Sequence, residues 1–320
     1  METVPEVAAK WLQLREQVDR VVLGQAEVKD RMLVCLLAGG HALLEGVPGT
    51  AKTLLALTIS RLLSCRFRRI QFTPDLMPAD LLGTNIFNQK SQEFEFHSGP
   101  IFTDVLLADE INRTPPRTQA ALLEAMQENA ATIDGKRRIV SPIFSVFATQ
   151  NPVEFEGTYP LPEAQRDRFL LKIHIGYPAA VDEARILAAY AAGQRLHDDA
   201  VRELQPVLSP DELLLSRQVV AQRVRVEEKI LDYLLRIVTA TRGHDWVQIG
   251  AGPRASLALL VSSRALALLR GRDFVTPDDV KEMAAPVLVH RITLTPEAEM
   301  EGVTLDDLLR QIFEQVEVPR

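Results

Sequence analysis

The run Gly46-Val47-Pro48-Gly49-Thr50-Ala51-Lys52-Thr53 combines small residues, a lysine and a hydroxyl within eight positions. Small residues let backbone N–H groups converge on one point, which suits phosphate oxygens, and a helix beginning there adds its partial positive charge. Lys52 would hold β- and γ-phosphates, and the Thr53 hydroxyl a divalent cation. The run follows an apolar segment, Ala42 to Leu44, and opens into the helix formers Leu54-Leu55-Ala56-Leu57. That strand–loop–helix context is what a phosphate-binding P-loop requires. Ala51 stands where the pattern has glycine; its methyl narrows the room beside the phosphates and removes no N–H donor.

Further along, Asp109-Glu110 closes a second apolar run, Val105 to Ala108. An aspartate at such a strand end can hold Mg²⁺ through water, and the adjacent glutamate can polarise an attacking water. Ala148-Thr149-Gln150-Asn151-Pro152 ends another strand, expected between those carrying Lys52 and Glu110. The Asn151 amide would then reach the γ-phosphate or the water; an asparagine in a turn before proline is the plainer alternative. Arg166 and Arg168 lie in a polar loop ahead of the last strand. They are either solvated or fingers that stabilise charge on a neighbour's nucleotide. Arg254 falls in the first turn of a helix, where it opposes the dipole. A functional role or a salt bridge would account for it.

Apolar periodicity supplies the elements that must position these groups. Val7, Trp11, Leu14 and Val18 mark one face of a helix over 6–20, and a second helix runs from Ala26 to Gly39. Strands are expected at His41–Leu44, Arg68–Phe72, Val105–Ala108, Phe144–Ala148 and Phe169–Ile175. Helices between them make a parallel α/β sheet covered on both faces. Two β-hairpins interrupt this rhythm. One lies within 83–102 around a polar tip, and the other, within 132–139, turns on Asp134-Gly135. Beyond Gly176-Tyr177-Pro178 the pattern is helical, over 180–193, 210–221, 227–242, 253–271 and 277–290. The expected division is therefore 1–177 and 178–320.

Composition narrows the class. The chain has 320 residues, 47% hydrophobic and 25% charged, with net charge −7. That charge offers no global basic field for nucleic acid or an anionic membrane, and no apolar run reaches the ~20 residues of a span. The two cysteines, Cys35 and Cys65, both fall in helical apolar patterns. With no leader-like amino terminus, a reducing, cytoplasmic setting is expected. The six histidines show no ligand spacing.

Taken together, Gly46 to Thr53, Gly99-Pro100-Ile101-Phe102, Leu106 to Arg113, Gln119 to Glu128, Ala148 to Pro152, Leu161 to Phe169 and Gly252-Pro253-Arg254-Ala255 resemble the MoxR family of AAA+ ATPases. The resemblance runs from about Val21 to Ile292. It implies a ring hexamer, strand order 5-1-4-3-2, a carboxyl-terminal all-helical lid, and ATP with Mg²⁺ as cofactors. On it, Lys52 and Thr53 are Walker A, and Asp109 and Glu110 are Walker B. Asn151 is sensor 1, Arg168 the arginine finger acting in trans, with Arg166 its competitor, and Arg254 sensor 2. Nucleotide contacts are implied at Gly24 and Gln25 on the adenine side, then at Gly46, Pro48, Gly49, Thr50, Ala51, Lys52, Thr53, Leu54 and Asp109. Metal contacts, largely through water, are implied at Thr53 and Asp109. The hairpin near 83–102 corresponds to the helix-2 insert, and that near 132–139 to the pre-sensor-1 insert. A protein client follows from the same resemblance, together with a von Willebrand factor A (VWA) domain partner. A nucleic-acid-remodelling motor is the alternative, with Lys136, Arg137 and Arg138 as its basic cluster; a nucleotide-gated scaffold is a third.

Overall fold

The structure, a computed structural model, describes residues 3–47, 49–151, 157–193 and 198–319. Five parallel strands form its centre: β1 (Ala42–Gly46), β2 (Phe67–Gln71), β3 (Val105–Asp109), β4 (Ser145–Gln150) and β5 (Leu171–Ile175). Across the sheet they stand in the order 5-1-4-3-2, as the family resemblance implied.

Alternation along each strand divides the side chains between two cores. Leu43, Leu106, Ala108, Val146 and Ala148 face a smaller one with Phe72, Leu122, Phe144 and Phe169. Ala42, Leu44, Val105, Leu107 and Phe147 face a larger one. Helices α1 (Val4–Val21), α2 (Ala26–Leu37) and α3 (Lys52–Leu62) supply that larger core. The expected stripe of α1, from Val7 through Trp11 and Leu14 to Val18, is buried, and a Thr3/Glu6 capping box fixes its start. Helix α4 (Pro116–Glu128) buries Leu122, Leu123, Ala125 and Met126 in the smaller core, then stops at Asn129 in the left-handed conformation.

The carboxyl-terminal part is helical: α5 (Pro210–Arg223), α6 (Glu228–Ala240), α7 (Pro253–Leu269), α8 (Pro277–Leu288) and α9 (Leu305–Gln315). Helix α9 was not expected, and neither was a small antiparallel pair, Val247–Ile249 with Thr293–Leu294. The larger core continues into these helices. Trp11 Nε1 donates to Ser216 Oγ at 3.1 Å, and Arg217, its guanidinium pushed down to about 10 by burial, donates to the Leu36 carbonyl at 2.8 Å. One helix behaves differently: Ala180–Ala191 buries no residue and leaves Val181, Leu187 and Tyr190 exposed.

Both hairpins form, as Gly83–Asn88 with Glu93–Ser98 and as Ala130–Ile133 with Lys136–Ile139. Asp134 and Gly135 take positive φ (48° and 74°), the geometry of a tight primed turn. The hairpins are clasped to each other. Arg138 lies 3.8 Å from the Phe96 ring centre, and Asn85 Nδ2 donates to Asp134 Oδ2 at 2.5 Å. Ile86, Phe87 and Phe94 are left exposed on the first. One expectation needs correcting. Cys35 is buried in α2, but Cys65 lies past the end of α3, where the chain turns into β2. Both are free thiols, pushed up to about 12 by burial.

Candidate functional site: a phosphate-loop cavity and an arginine cavity

A cavity of about 410 Å³ opens at the carboxyl ends of β1, β3 and β4. Gly46, Gly49, Thr50, Ala51, Lys52, Thr53 and Leu54 form one wall, and Asp109, Glu110, Thr149 and Asn151 the other. Parallel strands put their carboxyl ends on one edge, so residues far apart in sequence converge there. Pro48 lies outside the described residues.

Local backbone chemistry shapes the loop. A Cβ at Gly46 would stand 2.2 Å from the Ile175 carbonyl oxygen, so only glycine lets β1 run this close to β5. Gly49 has φ +83°, and Ala51, at φ 59° and ψ 21°, occupies the left-handed region just before α3. An L-residue pays about 1–2 kcal/mol there, which is why the P-loop pattern has glycine at this position. Thr50 is buried and donates to the Val47 carbonyl at 3.0 Å. Gln25 Nε2 donates to the carbonyls of Thr50 (3.4 Å) and Gly176 (3.3 Å), joining the start of α2 to the loop and to the end of β5. Gly24 and Gln25 both have positive φ and do not line the cavity.

The charged groups are held inward. Lys52 Nζ donates to the Gly46 carbonyl, and burial lowers its pKa, while the nearby Asp109 and Glu110 pull the other way. Asp109 is buried; its Oδ1 accepts from Thr149 Oγ1 at 3.1 Å and its Oδ2 from Arg69 Nε at 2.5 Å. Glu110 has φ 57°, a strained position for a side-chain-bearing residue. It is fixed from three directions. Its N–H donates to Thr149 Oγ1 at 2.8 Å, its Oε2 accepts from Gln71 Nε2 at 2.6 Å, and Arg113 Nε stands 3.0 Å from the same oxygen. Arg69, Gln71 and Thr149 were missed in the sequence. The first two sit two apart at the end of an edge strand, so they share a face, which is the signal that could have found them.

Arg168 and Arg254 are not part of that cavity. They line a second one, of about 320 Å³, with Asp167, Leu170, Leu257, Arg291 and the Gly39–His41 turn. Arg254 Nη1 lies 3.5 Å from Asp167 Oδ2, and Arg291 Nε 2.8 Å from Asp167 Oδ1. Arg291, 4% exposed at its side chain, also donates to the carbonyls of Phe169 (2.6 Å) and Leu170 (3.1 Å). It therefore ties the end of α8 to the loop that carries Arg168. The Arg168 guanidinium has no hydrogen-bond or ion-pair partner among the described residues. Arg166 is half-buried and lines neither cavity.

A phosphate loop facing an acid pair on a 5-1-4-3-2 sheet, with a helical unit behind it, defines a P-loop ATPase of the AAA+ class. Comparison with known sequences agrees. The ATPase family associated with various cellular activities matches residues 41–171, and the AAA lid domain matches residues 239–312. The Bacillus subtilis protein YeaC, uncharacterised, is 46% identical over 95% of this chain and 93% of its own. Chaperone MoxR1 of Mycobacterium tuberculosis is 44% identical, over 95% of this chain and 81% of its own. Protein MoxR of Paracoccus denitrificans is 32% identical over 97% of each. A crystal structure of a Cytophaga hutchinsonii protein, provisionally assigned as an ATPase, superposes with a TM-score of 0.91. It is 39% identical and covers 99% of this chain and 97% of its own. The chain belongs to the MoxR family of AAA+ ATPases.

Proposed function

We propose that this chain hydrolyses ATP with Mg²⁺ in a ring of its own copies and uses the cycle to remodel or mature a protein client, in company with a VWA-domain protein. One observation carries most of the weight: Lys52, Thr53, Asp109, Glu110 and Asn151 line a single cavity around the phosphate loop. Its volume suits a nucleotide, being within the ~300–1,000 Å³ of ligand sites. The loop N–H groups and Lys52 would hold the phosphates, with Gln25 on the adenine side. Thr53 and Asp109 are hard oxygen donors on facing walls of that cavity, a set that fits Mg²⁺. When bound, the ion would offset charge on the phosphates. Glu110 orients a water and takes its proton, Asn151 fixes the water's position, and Thr149 holds both acids in register.

Arg168 and Arg254 open on the other cavity, so in this reading they act on a neighbouring copy's nucleotide, as finger and sensor, rather than on their own. Arg168, which lines that cavity as Arg166 does not, takes the finger role over Arg166. Residues 1–177 form the ATPase unit and 178–320 the lid. The naming of one relative as a chaperone supports a protein client. So do the exposed aromatics Phe87 and Phe94 on the first of the clasped hairpins. The nucleic-acid alternative loses ground, because Arg138 is stacked on Phe96 and Arg137 stands 3.8 Å from Glu128. No helix among the described residues is long and apolar enough to cross a membrane. Two free thiols favour a reducing setting, and we assign the chain to the cytoplasm on that ground.

Lys52→Ala tests the nucleotide site directly. Removing a charge that faces two anionic phosphates should weaken ATP binding at least about tenfold in calorimetric titration. Unchanged affinity would remove Lys52 from the site.

A further inference from the structure

Asp109 presents a conflict that the functional assignment alone leaves open. As the aspartate proposed to hold the metal, it should offer an oxygen to the cavity, yet both of its oxygens are engaged by protein groups. Thr149 donates to one at 3.1 Å and Arg69 to the other at 2.5 Å. The two partners differ in kind. Thr149 is buried, neutral and on the adjoining strand β4. Arg69 is a full opposite charge on the edge strand β2, its side chain 51% exposed, and it lines the same cavity as the phosphate loop. The register places Arg69 opposite Leu107 and Gln71 opposite Asp109, so the arginine reaches diagonally along the strand to the carboxylate.

A guanidinium and a divalent cation held against one small carboxylate compete for it, because like charges a few ångströms apart repel in a partly dry cavity. An ion pair whose arginine is half-exposed can also exchange when a more highly charged cation arrives. We propose that Arg69 is a built-in counter-cation for Asp109. It occupies the carboxylate while the nucleotide cavity is empty, and the divalent cation that enters with nucleotide must displace it. The inference rests on the assignment of the phosphate-loop cavity to Mg–nucleotide. It adds that metal loading is a competition whose strength is set by a residue of β2 outside the phosphate loop and the acid pair. Arg69 is thus a positioning residue: it acts through Asp109, and its removal should make metal loading easier rather than harder.

The test uses the full chain and a fluorescent N-methylanthraniloyl-ATP at fixed concentration, titrated with Mg²⁺. In Arg69→Gln the half-saturating Mg²⁺ concentration should fall about five- to tenfold below the parental value, the scale of one charge-assisted contact removed. Arg69→Lys, which keeps the charge, should stay within about threefold of the parent. Arg69→Met, which keeps the aliphatic stem, gives a second charge-free variant should Arg69→Gln fold poorly. In an Asp109→Asn background nothing remains to compete for, and Arg69→Gln should shift nothing further. A parental Mg²⁺ requirement in both charge-free variants would overturn the inference. A raised requirement would also overturn it, making Arg69 a ligand of the bound nucleotide. If instead the parent shows no nucleotide signal that depends on Lys52, the assignment of the cavity itself has failed, and the two failures are told apart by that control.

Discussion

The two cavities are opposites. The phosphate-loop cavity has the loop N–H groups, the lysine, both acids and the asparagine, yet every charge in it is already matched: Lys52 by a loop carbonyl, Asp109 by Arg69, Glu110 by Gln71 and Arg113. The arginine cavity has no phosphate loop and three arginines for one aspartate, with Arg168 unpaired among the described residues. The groups that the proposed function assigns to one ATPase site are thus divided between two separate cavities of a single copy. Under the proposed function, assembly of copies is what completes the chemistry.

The largest expected effect breaks the comparison from the arginine side. Arg168→Ala should lower the ATPase rate by roughly 10³–10⁵ while leaving ATP affinity within about threefold, because a finger stabilises charge that develops only in the transition state. Steady-state rates with parallel titrations would check it, and weakened binding would place Arg168 in the ground-state site instead. Glu110→Gln strikes the other half-site. It should reduce turnover about 10²–10⁴-fold with ATP binding intact, since proton acceptance is lost and the phosphate contacts survive. Parental turnover would contradict its role.

A pH series separates the cavities by stability. His41, on the wall of the arginine cavity, is neutral and fully engaged. Its Nδ1 accepts from the Val146 N–H at 3.0 Å, and its Nε2 bonds the Met126 carbonyl at 3.1 Å. Burial depresses its pKa from 6.5 to about 4. A depressed histidine contributes stability that is complete above the unfolded value and is lost as pH falls toward the folded one. Stability should therefore decline between about pH 6.5 and 4, by on the order of 3 kcal/mol. Buried His290, also lowered, adds in the same direction. Urea unfolding at stepped pH would show it, and a flat profile from pH 6.5 to 5 would contradict it. The smallest effect is at Ala51. Ala51→Gly relieves a left-handed alanine but loosens the unfolded chain, for a net gain of about 0.5 kcal/mol in urea unfolding. A loss would show that the methyl packs usefully.

The phosphate-loop half was legible in the sequence because each part is local. Gly46 to Thr53 is one loop, Asp109-Glu110 one strand end and Asn151 another, and sheet order alone brings them together. Arg69 and Gln71 were not legible. An arginine and a glutamine on an exposed edge strand look like solvated surface until the register sets them beside the acids. The destination of Arg254 was hidden for a different reason. Its residue type is a local fact, but which cavity it serves depends on Arg291 clasping Asp167, Phe169 and Leu170 across more than 100 positions. Helix α9 was readable in principle: Thr304 and Asp307 form a capping box, and Leu308, Leu309 and Ile312 supply a buried face. Positive φ at Gln25 and Glu110 has no sequence signature in residues of those types, whereas at Ala51 the glycine of the P-loop pattern is one.

The central claim, that one site is assembled from two copies, is tested by mixing. Arg168→Ala and Glu110→Gln subunits, each nearly inactive alone, are combined over a range of ratios, with mixed assemblies verified by native mass spectrometry. In mixed rings an intact Glu110 can meet an intact Arg168 from next door, so turnover should recover with a maximum at intermediate ratios. Mixed rings that remain inactive at every ratio would contradict the claim.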